Sequence, residues 1–456
     1  MKISLGFGLI FCLVAWSELS IAQTLRPSIG ASKTEKEMTS KDVLGGLSLS
    51  QLIQAGLKYS PEIQKSEASL KISEEDYSQV ESAIFPTVLA RASARNRKLA
   101  LANFGQSAGT LKQNIYDATL EASQPLYVGG AITSGLAEAK VAKQAAEQER
   151  LIQKQQYLFE LIGAYYDYSE NFEKLKQAKI NRDFLSNYAG IAKRYASIGR
   201  TKSIDRLQAE ANLASAESTI LEFETNLESQ KDKLLQLVGM NGSRDEINIQ
   251  SSVEVQPIAP MKVEEALEKA LEGNPDLKKA SLELKRQKHL NDLNLIEHRP
   301  RVTLEGSYGY TSPNRDEWFE ENRNTYTVGV NLVVPLFSGL SSLSKKRANA
   351  QFSYQKEKDL ALKQDELRVS ISTAIQTLDR DFRRIKSLKL AADLGRRAMD
   401  SALVDYRRGL VSSTDVVAIQ NNRFQSEVKL VQASVSYMKQ VLSLRRDLGI
   451  ELESAY

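Results

Sequence analysis

The chain has 456 residues, with 61 Lys and Arg against 57 Asp and Glu and a formal net charge of +4. A balance that near to neutral gives no case for a general nucleic-acid surface, and an apolar content of 42% is ordinary for a folded protein. The single cysteine, Cys12, lies at the N-terminus, so the rest of the chain has no disulfide, thiol nucleophile or thiolate metal site.

Residues 1–22 read as a secretory signal peptide. Lys2 supplies the charged start, Ile3 to Trp16 the apolar core, and Ser20-Ile21-Ala22 a small-x-small cleavage site before Gln23. The apolar run falls short of the ~20 residues that cross a bilayer as a helix. Phe11 is too bulky for a lipoprotein site at Cys12. Residues 23–46 are polar and read as a flexible lead-in. An exported chain without disulfides suits the periplasm or outer membrane of a bacterium.

From there the chain repeats its punctuation. Pro61 and Pro275 are 214 positions apart, as are Pro86 and Pro300. The pairs Pro125/Pro335, Gly199/Gly409, Asp205/Asp415 and Gly239/Gly449 are each 210 apart. Two copies of one unit are expected, over 47–250 and 261–456. Each reads as helix, strands, long helix, helix.

The short opening helices lead to segments of different period. Val88, Ala90, Ala92 and Ala94 alternate with Thr87, Leu89, Arg91, Ser93 and Arg95. Tyr116, Ala118, Leu120 and Ala122 do the same in the next run. Four strands are predicted, at about 87–97, 116–124, 301–311 and 324–334, with the intervening loops at 96–115 and 311–324 facing outward. The second copy alternates more strongly, through Val302, Leu304, Gly306, Tyr308 and Tyr310, then Tyr326, Val328, Val330, Leu332 and Val334. One apolar face over about ten residues suits either a half-buried sheet or the wall of a membrane barrel. The export signal and the helices favour the barrel. Four strands cannot enclose a lumen, because membrane barrels start at eight, so copies must assemble.

After Pro125 and Pro335 come proline-free stretches, from Ala131 to Ile198 and from Ser341 to Arg408. Leu158, Leu161, Tyr165, Tyr168, Phe172 and Leu175 alternate spacings of 3 and 4, as do Ile371, Ile375, Leu378, Phe382 and Ile385. Phe424, Val428, Val431, Val435, Met438 and Leu442 continue the pattern. This is a coiled-coil seam. At ~1.5 Å per residue each long helix reaches ~100 Å, which describes a helical column.

These features resemble the TolC-like outer-membrane efflux protein family. Pro125-Leu126-Tyr127-Val128-Gly129 and Pro335-Leu336-Phe337-Ser338-Gly339 resemble its strand-to-helix junction, with proline at a strand end, an interfacial aromatic, and a glycine to turn the backbone. Tyr195…Gly199…Asp205 and Tyr406…Gly409-Leu410-Val411…Asp415 resemble its helix-turn-helix tips, and Asn274-Pro275 and Ser60-Pro61 its repeat openings.

The resemblance implies a mainly α homotrimer in the outer membrane. A 12-stranded barrel, four strands per chain, continues into a 12-helix periplasmic coiled-coil tunnel. It implies a passive exit duct of an efflux or type I secretion system, working with a periplasmic adaptor and an inner-membrane pump, proton-driven or ABC type. His289 and His298 have no Cys neighbours, and there is no glycine-rich phosphate loop or nucleophile elbow, so no enzyme activity, cofactor or metal is expected. The resemblance places a periplasmic gate at Asp205, Tyr406 and Asp415, with a Tyr406–Asp205 hydrogen bond. It places adaptor contacts at Gly199, Arg200, Gly409, Leu410 and Val411, the last two as exposed apolar groups. Val411 and Ala418 stand where the family has an arginine and an acid. Both aspartates could instead serve only as helix N-terminal groups. The alternative to the whole reading is a structural periplasmic coiled coil without a channel.

Overall fold

The computed structural model describes residues 47–453 apart from 102–108, 240–247, 252–254, 256, 258–260, 315, 318 and 338. The expected signal peptide and lead-in lie outside the described residues. Contacts divide the chain into two units. In the smaller, Leu47 and Ile249 form a parallel bridge. The larger, residues 48–242 and 251–456, holds every element described below.

Its elements come twice in the same order. Helices α1 (Leu49–Tyr59) and α2 (Pro61–Ser82) lead into strands β1 (Thr87–Leu101) and β2 (Gly109–Val128), then helices α3 (Ala131–Ser197) and α4 (Ser203–Val238). Helices α5 (Val263–Gly273) and α6 (Pro275–Asn294), strands β3 (Arg301–Ser312) and β4 (Asn324–Val333), and helices α7 (Ser341–Arg408) and α8 (Ser413–Asp447) repeat the plan. The openings follow from local chemistry. Pro61 and Pro275 each stand at the first helical position, where the missing N–H costs nothing. The Asn274 side chain caps α6 by accepting from the N–H groups of Asp276 and Leu277.

The four strands form one antiparallel sheet in the order β1-β2-β3-β4. Its register aligns the apolar alternation into rows. Val88 pairs with Ala122, Ala122 with Gly306 and Gly306 with Val328; Ala90, Leu120, Tyr308 and Tyr326 form the next row. The opposite face carries the charges, with ion pairs from Arg91 to Glu121 at 3.4 Å and Arg95 to Asp117 at 2.5 Å. On the apolar face Tyr326, Val328, Val330 and Leu332 of β4 are all exposed, Tyr326 at 79%.

Two expectations need correction. β1 and β2 extend beyond the segments expected at 87–97 and 116–124, because the hairpin stays paired through polar residues such as Asn96 and Asn114. Most of the expected 96–115 loop is therefore strand, and 102–108 lies outside the described residues. Pro125 is not at a strand end. It sits within β2, where a register shift between Pro125 and Tyr127 absorbs its missing donor.

The helices bury seams of heptad spacing. In α7, Ile371, Leu378, Ile385, Ala392 and Met399 recur every seven residues and are buried. Phe172, expected in the α3 seam, remains 37% exposed. The hairpins α3–α4 and α7–α8 join through α3 and α8. From the tips upward, Tyr188 meets Ser413, Asn181 meets Gln420, Asp167 meets Lys439, Arg446 lies over the Phe159 ring, and Lys154 pairs with Glu453.

Candidate functional site: the two helix tips

Both tips are built from one backbone motif. Gly199 has φ +74° and Gly409 has φ +78°, a left-handed conformation that favours glycine. Arg200 N–H donates to Tyr195 C=O at 2.9 Å, and Leu410 N–H donates to Asp405 C=O at 2.9 Å. Gly199 N–H and Gly409 N–H donate to the Ala196 and Tyr406 carbonyls. These are paired C-terminal closures that satisfy carbonyls left open at a helix end.

The helices that follow start differently. Ser412 caps α8, accepting from Asp415 N–H at 3.2 Å while its hydroxyl donates to the Asp415 carboxylate at 2.6 Å. At the equivalent place in α4 stands Lys202, which makes no side-chain cap. The Asp205 carboxylate there accepts from Thr201 Oγ1 at 2.5 Å and from Lys202 N–H at 3.3 Å.

The tips pack on each other. Tyr188, Ala189, Ala192, Ala209, Met399 and Val416 form a buried cluster, with Tyr406 and Val411 partly buried against it. Tyr406 lies between two tyrosines, with ring centroids 5.6 Å from Tyr188 and 6.4 Å from Tyr195. Arg200 stacks over Tyr195 at 5.3 Å. Burial first, then Tyr188, Tyr195 and the charge of Asp205, push the Tyr406 phenol far above its ordinary range. It is therefore a neutral hydrogen-bond donor at any physiological pH.

The expected site residues fall into place unevenly. Tyr406 and Asp205 are brought near enough to interact electrostatically, but the Asp205 carboxylate is bonded within its own turn. Asp415 is exposed and tied to Ser412. Leu410 is 72% exposed, whereas Val411, expected beside it as an exposed group, is half-buried in the shared cluster. The sequence reading missed Tyr188 and Ser413, whose side-chain oxygens lie 2.5 Å apart and link the hairpins. No local signal could have found a contact between residues 225 positions apart.

At the other ends of α3 and α7, Gly129 and Gly339 have matching φ of +67° and +68°. Arg299 Nη1 donates to the Gly129 carbonyl at 2.9 Å. Pro335 follows β4, and Phe337 is 80% exposed beside Leu336; Tyr127 is less so. Among the described residues no group of three or more His, Cys, Asp or Glu is placed to hold a metal ion. Among them, too, no helix is long and apolar enough to cross a membrane.

Two long helical hairpins are joined to a four-stranded antiparallel sheet with one apolar and one charged face. Residues 52–240 and 266–450 match the outer membrane efflux protein family, and the chain belongs to it. It is an outer-membrane protein that serves as an exit duct. Among curated relatives, it is 21% identical over 348 residues to outer membrane protein TolC of Vibrio cholerae, covering 74% of this chain and 77% of that one. It is 20% identical to the alkaline protease secretion protein AprF of Pseudomonas aeruginosa, covering 74% and 70%. Among solved structures, the outer-membrane channel OprN matches with a TM-score of 0.78 at 20% identity, over 89% of this chain and 90% of that one. The Campylobacter jejuni CmeC channel matches at 0.79 and 16% identity, over 88% and 85%.

Proposed function

We propose that three copies of this chain close a 12-stranded barrel across the outer membrane. Their helices continue as a 12-helix tunnel that meets a periplasmic adaptor and an inner-membrane pump. The observation that carries this reading is the sheet. It has open edges at β1 and β4, and its apolar rows are in register across all four strands. Edges left unpaired in lipid cost several kcal/mol per group, and closure with further copies removes them.

A second stripe supports assembly of the helices. Leu362, Val369, Leu390 and Val404 of α7 are exposed and spaced in multiples of seven. Val369 is two residues from Ile371, so this stripe lies about 200° around the helix from the buried seam. Exposed Leu207 and Leu221 of α4, fourteen apart, offer a matching surface on a neighbouring copy. A column of helices packed on both sides is what a closed tunnel requires.

The duct conducts passively, without catalysis. Its closed state is held at the tips, where neutral Tyr406 lies beside Asp205 and the hairpins are joined by Tyr188 and Ser413. Asp415, repeated around the axis, sets a ring of carboxylates at the entrance that favours cations and opposes the charge of the nearby arginines and Lys202. Gly199, Arg200, Gly409 and Leu410 form the end that meets the adaptor, while Pro125, Tyr127, Gly129, Pro335, Phe337 and Gly339 turn the chain at the membrane. The test is conductance in planar bilayers. Tyr406→Phe with Asp205→Ala raises single-channel conductance, and Asp415→Asn shifts the reversal potential away from cation selectivity. Wild-type behaviour in both variants reduces these residues to helix caps, and recovery of the chain as a soluble monomer rejects the channel.

A further inference from the structure

The two tips carry the same chemistry through different residues. The first has Ile198, Arg200 and Lys202; the second has Arg407, Arg408 and Leu410. Each thus sets two cations beside exposed aliphatic side chains, Ile198 at 65% and Ile204 at 59% in the first tip and Leu410 at 72% in the second. The four cations are exposed, and among the described residues none of them is in an ion pair. Residues 197–205 and 407–415 hold these four cations against two carboxylates, and both carboxylates are bonded within their own helix starts.

Helix stability explains only half of this charge. Arg407 and Arg408 are in the last turn of α7, where the helix dipole favours cations. Arg200 lies beyond the end of α3, and Lys202 is the N-cap of α4, at the positive end of a dipole. The equivalent of Lys202 in the second repeat is Ser412, which does cap its helix. Lysine in place of a capping side chain gives up about 1 kcal/mol. The first tip has therefore acquired, against the preference of its own helix, the charge that the second carries at its helix end.

We propose that both tips dock an acidic protein surface, one that sets carboxylates around an apolar side chain. This rests on the channel reading above and names the chemistry its adaptor must present. The exposed isoleucines and leucine supply contact area, and the flanking cations supply orientation and encounter rate. With three copies the end of the tunnel offers six such knobs, two types in alternation. A partner needs one acidic motif for both, because each presents two cations and at least one exposed aliphatic group.

The test uses the full chain in cells. A photoreactive amino acid replaces Ile198 or Leu410, and the crosslinked peptides are sequenced. The expected peptide is from a periplasmic protein and has two or more Asp or Glu within a helical turn of an apolar residue. Arg200→Glu with Lys202→Glu reduces that crosslink by about tenfold or more, with detergent-stable trimer still formed. Lysine at the partner's acids restores it. A crosslinked peptide without acids, or a crosslink indifferent to charge reversal, overturns the proposal. So does binding of purified protein to phosphatidylglycerol vesicles without any protein crosslink, which assigns the basic tips to a membrane surface. Conductance of the unsubstituted protein in planar bilayers is measured alongside. Its absence rejects the channel reading itself, whereas a conducting channel with a failed crosslink test rejects only the acidic partner.

Discussion

Asn181 and Gln420, 239 positions apart, are buried side chains joined by a hydrogen bond of 2.8 Å, Gln420 Nε2 donating to Asn181 Oδ1. One sits on α3 and the other on α8, so the bond crosses from one repeat to the other. The equivalent positions elsewhere in the repeat are Ala391 and Glu210, which cannot form the same bond. A buried polar pair of this kind fixes which helices meet and in what register.

Gln420→Leu leaves the Asn181 amide buried without its partner. The expected cost is about 1–3 kcal/mol, read as a lower thermal midpoint of the helical circular dichroism in detergent. Adding Asn181→Leu removes the stranded group and recovers most of the loss. If the double variant is no more stable than Gln420→Leu alone, the pair does not act as a unit.

Tyr188→Phe removes the contact to Ser413 and keeps the ring in the tip cluster. Stability falls by about 1 kcal/mol. Because this contact ties the hairpins at the proposed gate, the variant is also expected to open more often in planar bilayers. Ser413→Ala gives the same phenotype, and combining the two adds little further. Fully additive effects on opening would mean that the two side chains work independently.

Alkaline pH reports on Tyr157. Burial, above all, pushes its phenol up to about 12, with Glu62 and Glu160 adding to the rise and Ser60 opposing it. In the unfolded chain tyrosine ionises near ~10. The folded protein therefore holds a proton that the unfolded chain releases, and stability is present below about pH 10 and lost as pH rises toward about 12. Tyr157→Phe flattens stability across that window. At neutral pH it costs about 1 kcal/mol through the lost bond to the Leu237 carbonyl, 2.8 Å long. Equal slopes for the two proteins above pH 10 would assign the alkaline loss to other groups.

The sheet is tested by its two faces. Val328→Lys places a charge on the apolar row, which costs about 2–4 kcal/mol at mid-bilayer. The variant is expected to lose the heat-modifiable oligomer from outer-membrane fractions. Thr327→Lys, one residue away on the opposite face, is expected to retain it. The reverse outcome would turn the sheet around.

The two repeats, the coiled-coil seams and the glycine turns could all be read from the sequence. They are local: the period of seven in Ile371, Leu378 and Ile385, and the left-handed backbone at Gly199 and Gly409, are properties of one helix and its end. Strand identity was legible for the same reason, through alternation on one face. Strand length was not, because β1 and β2 stay paired beyond their apolar residues by backbone bonds that any polar residue can make.

What only the tertiary structure decided is how the repeats meet. Tyr188 with Ser413, Asn181 with Gln420, Asp167 with Lys439 and Lys154 with Glu453 are separated by 225, 239, 272 and 299 positions. A helical period says which face of a helix is apolar, not which other helix will cover it. That choice falls to the summed packing of α3 against α8. It also moved Val411 from the expected exposed tip into the shared cluster and left the Asp205 carboxylate bonded to Thr201. The sequence by itself determined the parts and their order, and the long-range contacts between hairpins determined the site.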